Sequence, residues 1–328
     1  MCWNTLREWL AGYLAARRLD LALFWRARED LGAAHRHALS AVRLATCSLS
    51  RRDTGPRTIA AVRALTGLGD IERRRGEYPA AGDTLQYAWR LAETIDPPAP
   101  THQAAILTQL GILAKEQGCF DEARDRYAAV GELYDAHGAS PAELAMLQHN
   151  LAGLAYAQQR HATAEGHARW ALSLRHASGA AATVEAAADT AVLAAALAGQ
   201  QKHEQARELL LDAMAWCGAA RPPQRYEIAV QAHILADVEQ SMGNLSLAED
   251  LYRHALSVKE RLLGQHHPEI GVLANNLGTL LQAQGRWHEA VDCYRRALAI
   301  TSHAYATGHP ATTAAQDNLA KLLGRTTG

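Results

Sequence analysis

Apolar residues recur along this chain at helical spacing, and the pattern itself repeats about every 42 residues. Leucine stands at Leu68, Leu110, Leu151, Leu193, Leu235, Leu277 and Leu319, at steps of 41 or 42. The next residue is always small: Gly69, Gly111, Ala152, Ala194, Ala236, Gly278 and Ala320. Thirteen positions past each leucine comes Ala81, Ala123, Ala164, Ala206, Ala248 or Ala290. Four residues beyond that alanine stand Leu85, Tyr127, Ala168, Leu210, Tyr252 and Tyr294, and seven beyond it Ala88, Val130, Ala171, Ala213, Ala255 and Ala297. The spacing i, i+4, i+7 is one face of a helix. Each period therefore predicts a first helix (A) carrying Leu-small, a turn, and a second helix (B) carrying the alanine face. Small side chains let the two axes approach, and the face left over must be buried by the next pair, so the pairs stack.

Punctuation follows the same period. Pro268 and Pro310 fall at the first position of helix A, where a missing N–H costs nothing. Glycines mark the A–B turns at Gly76, Gly118, Gly243 and Gly285. The pattern predicts helix pairs over 57–95, 101–137, 140–177, 181–217, 222–262 and 267–304, then a single helix 309–323. Residues 1–56 are helical but fit the frame poorly. HALSAVRLA (37–45) resembles a B helix, with Ala38 and Leu39 in the last-column role, which makes this segment a degenerate first repeat. The expected organisation is 1–56 amino-terminal helices, 57–308 six helix pairs, and 309–328 a capping helix and tail, in one array without a composition break.

The pattern Leu-small, Gly at the turn, Ala, Tyr, Ala resembles the tetratricopeptide repeat, a helix-turn-helix unit. The 42-residue step, G-x-x-HP before helix A and NNLG within it resemble the kinesin light chain subclass, most closely in ALSVKERLLGQHHPEIGVLANNLGTLLQAQGRWHEAVDCYRRALAI (255–300). The resemblance implies an all-α, right-handed α-solenoid of about six repeats plus a carboxy-terminal capping helix. In that family the A helices line a concave groove that holds an extended peptide or a partner helix. Three positions depart from the family: Gln159 and Gln201 where the turn glycine is usual, and Ala168 in place of a large residue on helix B.

Composition and charge narrow the functional classes. Alanine (68) and leucine (44) together make a third of the 328 residues, as a helical array requires. With 33 basic and 34 acidic residues the net charge is −1, too balanced to attract nucleic acid or an anionic membrane. No segment is apolar enough over about 18 residues to span a bilayer. Arg7 and Glu8 interrupt the first apolar run, which argues against a signal peptide and for a cytoplasmic location. Five cysteines lie far apart with no CxxC pair, and sixteen histidines include no HExxH, so no metal site or cofactor is expected. The four lysines occur outside any GxxxxGK[ST] phosphate loop, and no catalytic residue is assigned; the chain reads as a binding protein rather than an enzyme.

Chemistry concentrates where alanine and leucine give way to polar residues. Counted from the frame leucine, positions −2, −1, +2 and +5 point inward in the geometry the resemblance implies. The −1 column holds Gln109, Asn150, Asn276 and Asn318 beside apolar members and Gly67; −2 holds Thr108, His149, His233 and Asn275; +2 holds Asp70, Asp237 and Thr279; +5 holds Arg73, Lys115, Tyr156, Gln240 and Gln282. An amide donates to a C=O and accepts from an N–H, so it suits a peptide backbone of any sequence. The same amide can instead tie its own helix pair or the next loop. The run Arg73-Arg74-Arg75 ends helix A, where positive charge complements the helix dipole. The alanine-rich fourth A helix, with Ala188, Ala191, Val192 and Ala195 facing inward, leaves either a pocket or a tighter superhelical turn. Trp3, Trp9, Phe24 and Trp25 either pack on the first repeat or form a self-association or partner surface. The expected function is a non-catalytic scaffold holding a protein or peptide partner in the groove. A ligand-responsive regulatory receptor and a helical accessory subunit or enzyme acting on a small molecule are the alternatives.

Overall fold

A computed structural model describes residues 3–47, 49, 55–180 and 183–326. Side chains 3–10, 325 and 326 are outside that description, and the expectations for Trp3 and Trp9 fall among them. The described residues form fifteen helices and no strand. They are α1 (Trp3–Ala27), α2 (Leu31–Thr46), α3 (Pro56–Arg74), α4 (Tyr78–Ala92), α5 (Pro100–Glu116), α6 (Phe120–His137), α7 (Pro141–Ala157), α8 (His161–Ala177), α9 (Val184–Gly199), α10 (His203–Ala219), α11 (Arg225–Ser241), α12 (Leu245–Leu263), α13 (Pro268–Ala283), α14 (Trp287–Ala304) and α15 (Pro310–Thr326). They group into two compact units, Met1–Gly138 and Ala139–Gly328.

In the first unit α1 packs on α2, α3 on α4 and α5 on α6, while α1, α3 and α5 stack in turn. In the second, α7/α8, α9/α10, α11/α12 and α13/α14 pair, with α7, α9, α11, α13 and α15 stacked in sequence. Each helix touches near neighbours in the chain, the quasi-one-dimensional logic of an all-α helical-repeat solenoid.

The columns of the repeat are the contacts that set helix spacing. All six alanines of the +13 column are fully buried. A methyl group placed on Gly69 would lie 2.6 Å from Leu85, on Gly111 2.5 Å from the Tyr127 ring, and on Gly278 2.8 Å from the Tyr294 ring. In these three pairs the large residue of helix B thus rests on the backbone of helix A, and the residue after the leucine is glycine because nothing larger fits. In the fourth pair Ala213 is only half-buried, and Cys217 takes the fully buried place one turn later.

Seven A–B turns close the same way, by one left-handed residue and a backbone bond from the residue that follows it, the third after the helix. The bonds are Asp30 N to Trp25 O, Glu77 N to Glu72 O, Cys119 N to Ala114 O, Arg160 N to Ala155 O, Lys202 N to Leu197 O, Asn244 N to Glu239 O and Arg286 N to Leu281 O, all 2.8–3.0 Å. Glycine supplies the left-handed residue in four turns; Glu29, Gln159 and Gln201, at φ 62–63°, adopt it in the others. The turn between α1 and α2 therefore has the form of the rest. Ala22, Ala34 and Ala38 are fully buried with Leu68 and Ile71, and Trp25 packs against that cluster. Phe24 stays 45% exposed, edge-on to Trp25 and covered on one side by Arg28.

Pro268 and Pro310 open α13 and α15, and Ser140 caps α7 in a reciprocal box with Glu143. On the alanine-rich face of α9, Ala191 and Ala195 are buried, while Ala188 and Val192 are half-buried.

Candidate functional site

The A helices of the second unit carry a connected polar face. It begins with Tyr252 on α12 and Tyr294 on α14, whose rings sit in the cores beneath it. Each hydroxyl reaches back to its own A helix. Tyr252 Oη donates to Asp237 Oδ1 in a very short bond and lies 3.2 Å from Gln240 Oε1. Tyr294 Oη lies 3.3 Å from Thr279 Oγ1 and 3.1 Å from Gln282 Oε1. The +2 and +5 columns are thus the acceptors that allow a phenol in the core.

Between successive A helices the asparagines take over. Asn276 Nδ2 on α13 donates to His233 Nε2 at 3.0 Å and approaches Asp237 Oδ1 at 3.4 Å, both on α11. Asn318 Nδ2 on α15 donates to Asn275 Oδ1 on α13 at 3.0 Å. For Nε2 of His233 to accept, that ring must be neutral with its proton on Nδ1. Burial, the largest influence, pushes its pKa below the usual histidine value, while the Asp237 charge opposes this. A cleft of about 220 Å³ opens on this face, lined by Asp237, Gln240, Ser241, Tyr252, Asn276 and Thr279. The Asp237 side chain is 41% exposed there, so its carboxylate keeps room to accept from outside. Tyr156 on α7, partly open to solvent, has its hydroxyl pKa raised by burial and further by the Asp237 charge.

His149 and Asn150 belong to a different arrangement within the same unit. Asp189 on α9 is fully buried; it takes a short charged bond from Arg175 Nε on α8 and lies 2.7 Å from His149 Nδ1 on α7. Beside it His167 Nδ1 lies 2.7 Å from Gln148 Oε1. Asn150 is 4% exposed, with no hydrogen-bond partner for its Nδ2 among the described residues. Gln109 lies on α5 in the first unit, half-buried, its Oε1 without a partner. Of the sequence-derived candidates, His233, Asp237, Asn275, Asn276, Gln282 and Asn318 thus share one hydrogen-bonded face. Tyr156 borders it electrostatically, and His149, Asn150 and Gln109 stand outside it.

Sequence reasoning missed Asp189, Arg175 and Tyr252. A single carboxylate inside an alanine-rich helix is the signal that Asp189 gives, because a charge in such a place must be paired to stay buried. The helical spacing of Tyr252 and Tyr294 predicts that their rings pack, but not which acceptor each hydroxyl meets. No group of three or more His, Cys, Asp or Glu side chains is placed to hold a metal among the described residues, and no described helix is long and apolar enough to cross a membrane.

A tetratricopeptide repeat model matches residues 226–302 and 269–327. No curated protein sequence matches the chain. Among solved structures, one similar in fold is a Rap protein complexed with competence and sporulation factor, at 15% identity and TM-score 0.71, covering 96% of this chain and 87% of that one. Another is NprR in complex with its cognate peptide NprX, at 12% identity and TM-score 0.64, covering 94% and 82%. A third is BtubC from P. vanneervenii, at 19% identity and TM-score 0.52, covering 73% and 92%. At these identities the likeness is one of fold.

Proposed function

We propose that this tetratricopeptide-repeat protein is a non-catalytic binder of peptides or extended protein segments, and that it holds them on the A-helix face of its second unit. The observation that carries this reading is the cleft at Asp237, Gln240, Asn276 and Thr279, where amides, a hydroxyl and a part-exposed carboxylate are held in place before any ligand arrives. A peptide backbone offers alternating C=O and N–H groups. Asn276 and Asn275 can meet both, exchanging an internal bond for one to the ligand at small net cost. Preorganisation by the Tyr252 and Tyr294 ties spares the ordering entropy that loose side chains would lose on binding. Two structures of similar fold, the Rap protein and NprR, hold a bound factor or peptide, which supports the same use here.

The test is an array of immobilised decapeptides probed with the full chain and with Asn276→Ala. The wild type should retain a reproducible subset, and the variant should lose about tenfold in affinity for it, the worth of one or two hydrogen bonds. Asn244→Ala, which removes a turn bond to Glu239 outside the cleft, should retain the same subset. Equal retention by Asn276→Ala would overturn the assignment of the groove. The fold likeness to the Rap protein and NprR over nearly the whole chain also favours the receptor reading, in which a bound peptide changes the superhelix. The retained peptides, measured by small-angle scattering with the protein, separate the two: a receptor changes its radius of gyration and a scaffold does not.

A further inference from the structure

In the second unit, two pairs of neighbouring repeats are tied at the turn by one recurring arrangement. Glu165 on α8 accepts from Gln200 Nε2 at 2.6 Å and from Lys202 Nζ at 3.0 Å, both in the α9–α10 turn. Glu249 on α12 accepts from Gln284 Nε2 at 3.1 Å and from Arg286 Nη1 at 2.7 Å, both in the α13–α14 turn. In the frame of the repeat these are position +14 of one pair and positions +7 and +9 of the next. In the first unit the same positions, across α4 and the α5–α6 turn, hold Gly82, Gln117 and Cys119. The carboxylate and the cation of the tie are both missing there, and only the amide is kept.

A cavity of about 280 Å³ opens at that junction, and both Gly82 and Gln117 line it. A methyl group placed on Gly82 would meet a single atom within 4 Å, Leu113 Cδ2 at 3.7 Å, so space stands open where the other junctions carry their glutamate. The buried Leu113 gives the cavity an apolar wall. Asp83 and Gln86 of α4 and Glu122 of α6 complete its polar lining, and no basic residue lines it. Asp83, Gln86 and Gln117 make no side-chain hydrogen bond or ion pair among the described residues. Glu122 takes one bond, from Arg126 at 3.2 Å. The lining is therefore negative, with carboxylate and amide oxygens left to accept, beside an apolar wall.

We infer that this cavity between α4 and α5 is a docking site for an arginine side chain of a partner protein segment. The partner's guanidinium would take the place of the cation that Arg286 supplies at the equivalent junction of the second unit. An arginine stem is apolar and packs on a wall such as Leu113, while its planar head carries several N–H donors for carboxylate and amide oxygens. The charge is complementary to Asp83 and Glu122, and no internal cation competes for the lining. This site lies in the first unit and does not depend on the A-helix face of the second.

Fluorescein-labelled acetyl-(Gly-Arg)4-amide, its citrulline counterpart and its lysine counterpart test the site by anisotropy with the full chain. Citrulline keeps the shape of arginine and loses its charge. The arginine peptide should bind about tenfold more tightly than the citrulline peptide, as one charge-assisted hydrogen bond provides. It should also bind more tightly than the lysine peptide, which carries the charge without the planar fork. Asp83→Asn should bring the arginine peptide close to the citrulline value. Gly82→Leu fills the cavity without changing its charge and should do the same; it should also raise the melting temperature of the free protein, because it removes a glycine from within α4. Equal binding of the arginine and citrulline peptides, equal binding of the lysine peptide, or an arginine preference that survives either substitution would overturn the site. The groove reading is judged separately, by the array and Asn276→Ala, so either can fail while the other holds.

Discussion

At the scale of single residues, the small side chain after each frame leucine is a distance constraint written into the sequence. At Gly111 the constraint is tightest: an added methyl would stand 2.5 Å from one ring carbon of Tyr127 and 2.9 Å from the next. The ring is buried on all sides, so it can move away only by displacing α6. Gly111→Ala should therefore destabilise the protein by about 1–3 kcal/mol, even though alanine is the better helix former. Gly131, inside α6, has no atom within 4 Å of its would-be methyl, and Gly131→Ala should instead gain up to about 1 kcal/mol. Urea denaturation of the two variants checks the pair; a loss in both, or in neither, would mean that helix spacing is not what keeps position 111 small.

At the scale of elements, the registers of the helix pairs were legible because the columns that define them are also the contacts that set interaxial distance. The α1–α2 pair was less legible because its buried face is Ala22, Ala34 and Ala38, residues too common here to mark a frame, and its turn uses Glu29 in place of glycine. The site was legible only as columns. Which amide meets which partner depends on residues about forty positions apart on adjacent A helices, such as Asn276 with His233 and Asn318 with Asn275, and spacing along one helix does not reveal that. The same logic joins three helices at Glu269 in the first turn of α13: Tyr226 of α11 donates to it at 2.8 Å and Lys259 of α12 at 2.6 Å. Burial alone would raise this carboxyl, but Lys259 and the hydrogen bonds outweigh it and hold the pKa at about 2, below the ordinary 4.5. A depressed acid contributes stability that is complete above its unfolded pKa and is lost as pH falls toward the folded one. The stability difference between wild type and Glu269→Gln should thus be constant above pH of about 5 and shrink as pH falls through the range between 4.5 and about 2. Urea midpoints taken across that range test it; a difference independent of pH would show that the charge on Glu269 does not join these helices.

At the scale of the whole chain, each pair leaves an apolar face for the next element to cover, and in the second unit the face of the α13–α14 pair is covered by α15. It stacks on α13 and α14, burying Leu322 with Leu280, Leu281 and Tyr294, and Ala315 with Ala274 and Ala297. Its Asn318 also completes the polar face by bonding Asn275. Removing residues 309–328 would expose that apolar surface and free the Asn275 carbonyl. In an array governed by nearest-neighbour coupling, the damage should fall off with distance along the stack. Hydrogen exchange on the truncated chain should therefore show the largest loss of protection in α13 and α14, a smaller one in α11 and α12, and little change in α7 and α8. Uniform loss across α7 to α14 would instead make the second unit a single cooperative core. In that case the face at Asp237, His233 and Asn276 would owe its geometry to the entire unit. The graded outcome would make it a property of the local stack, adjustable by substitutions in α11, α13 and α15 alone.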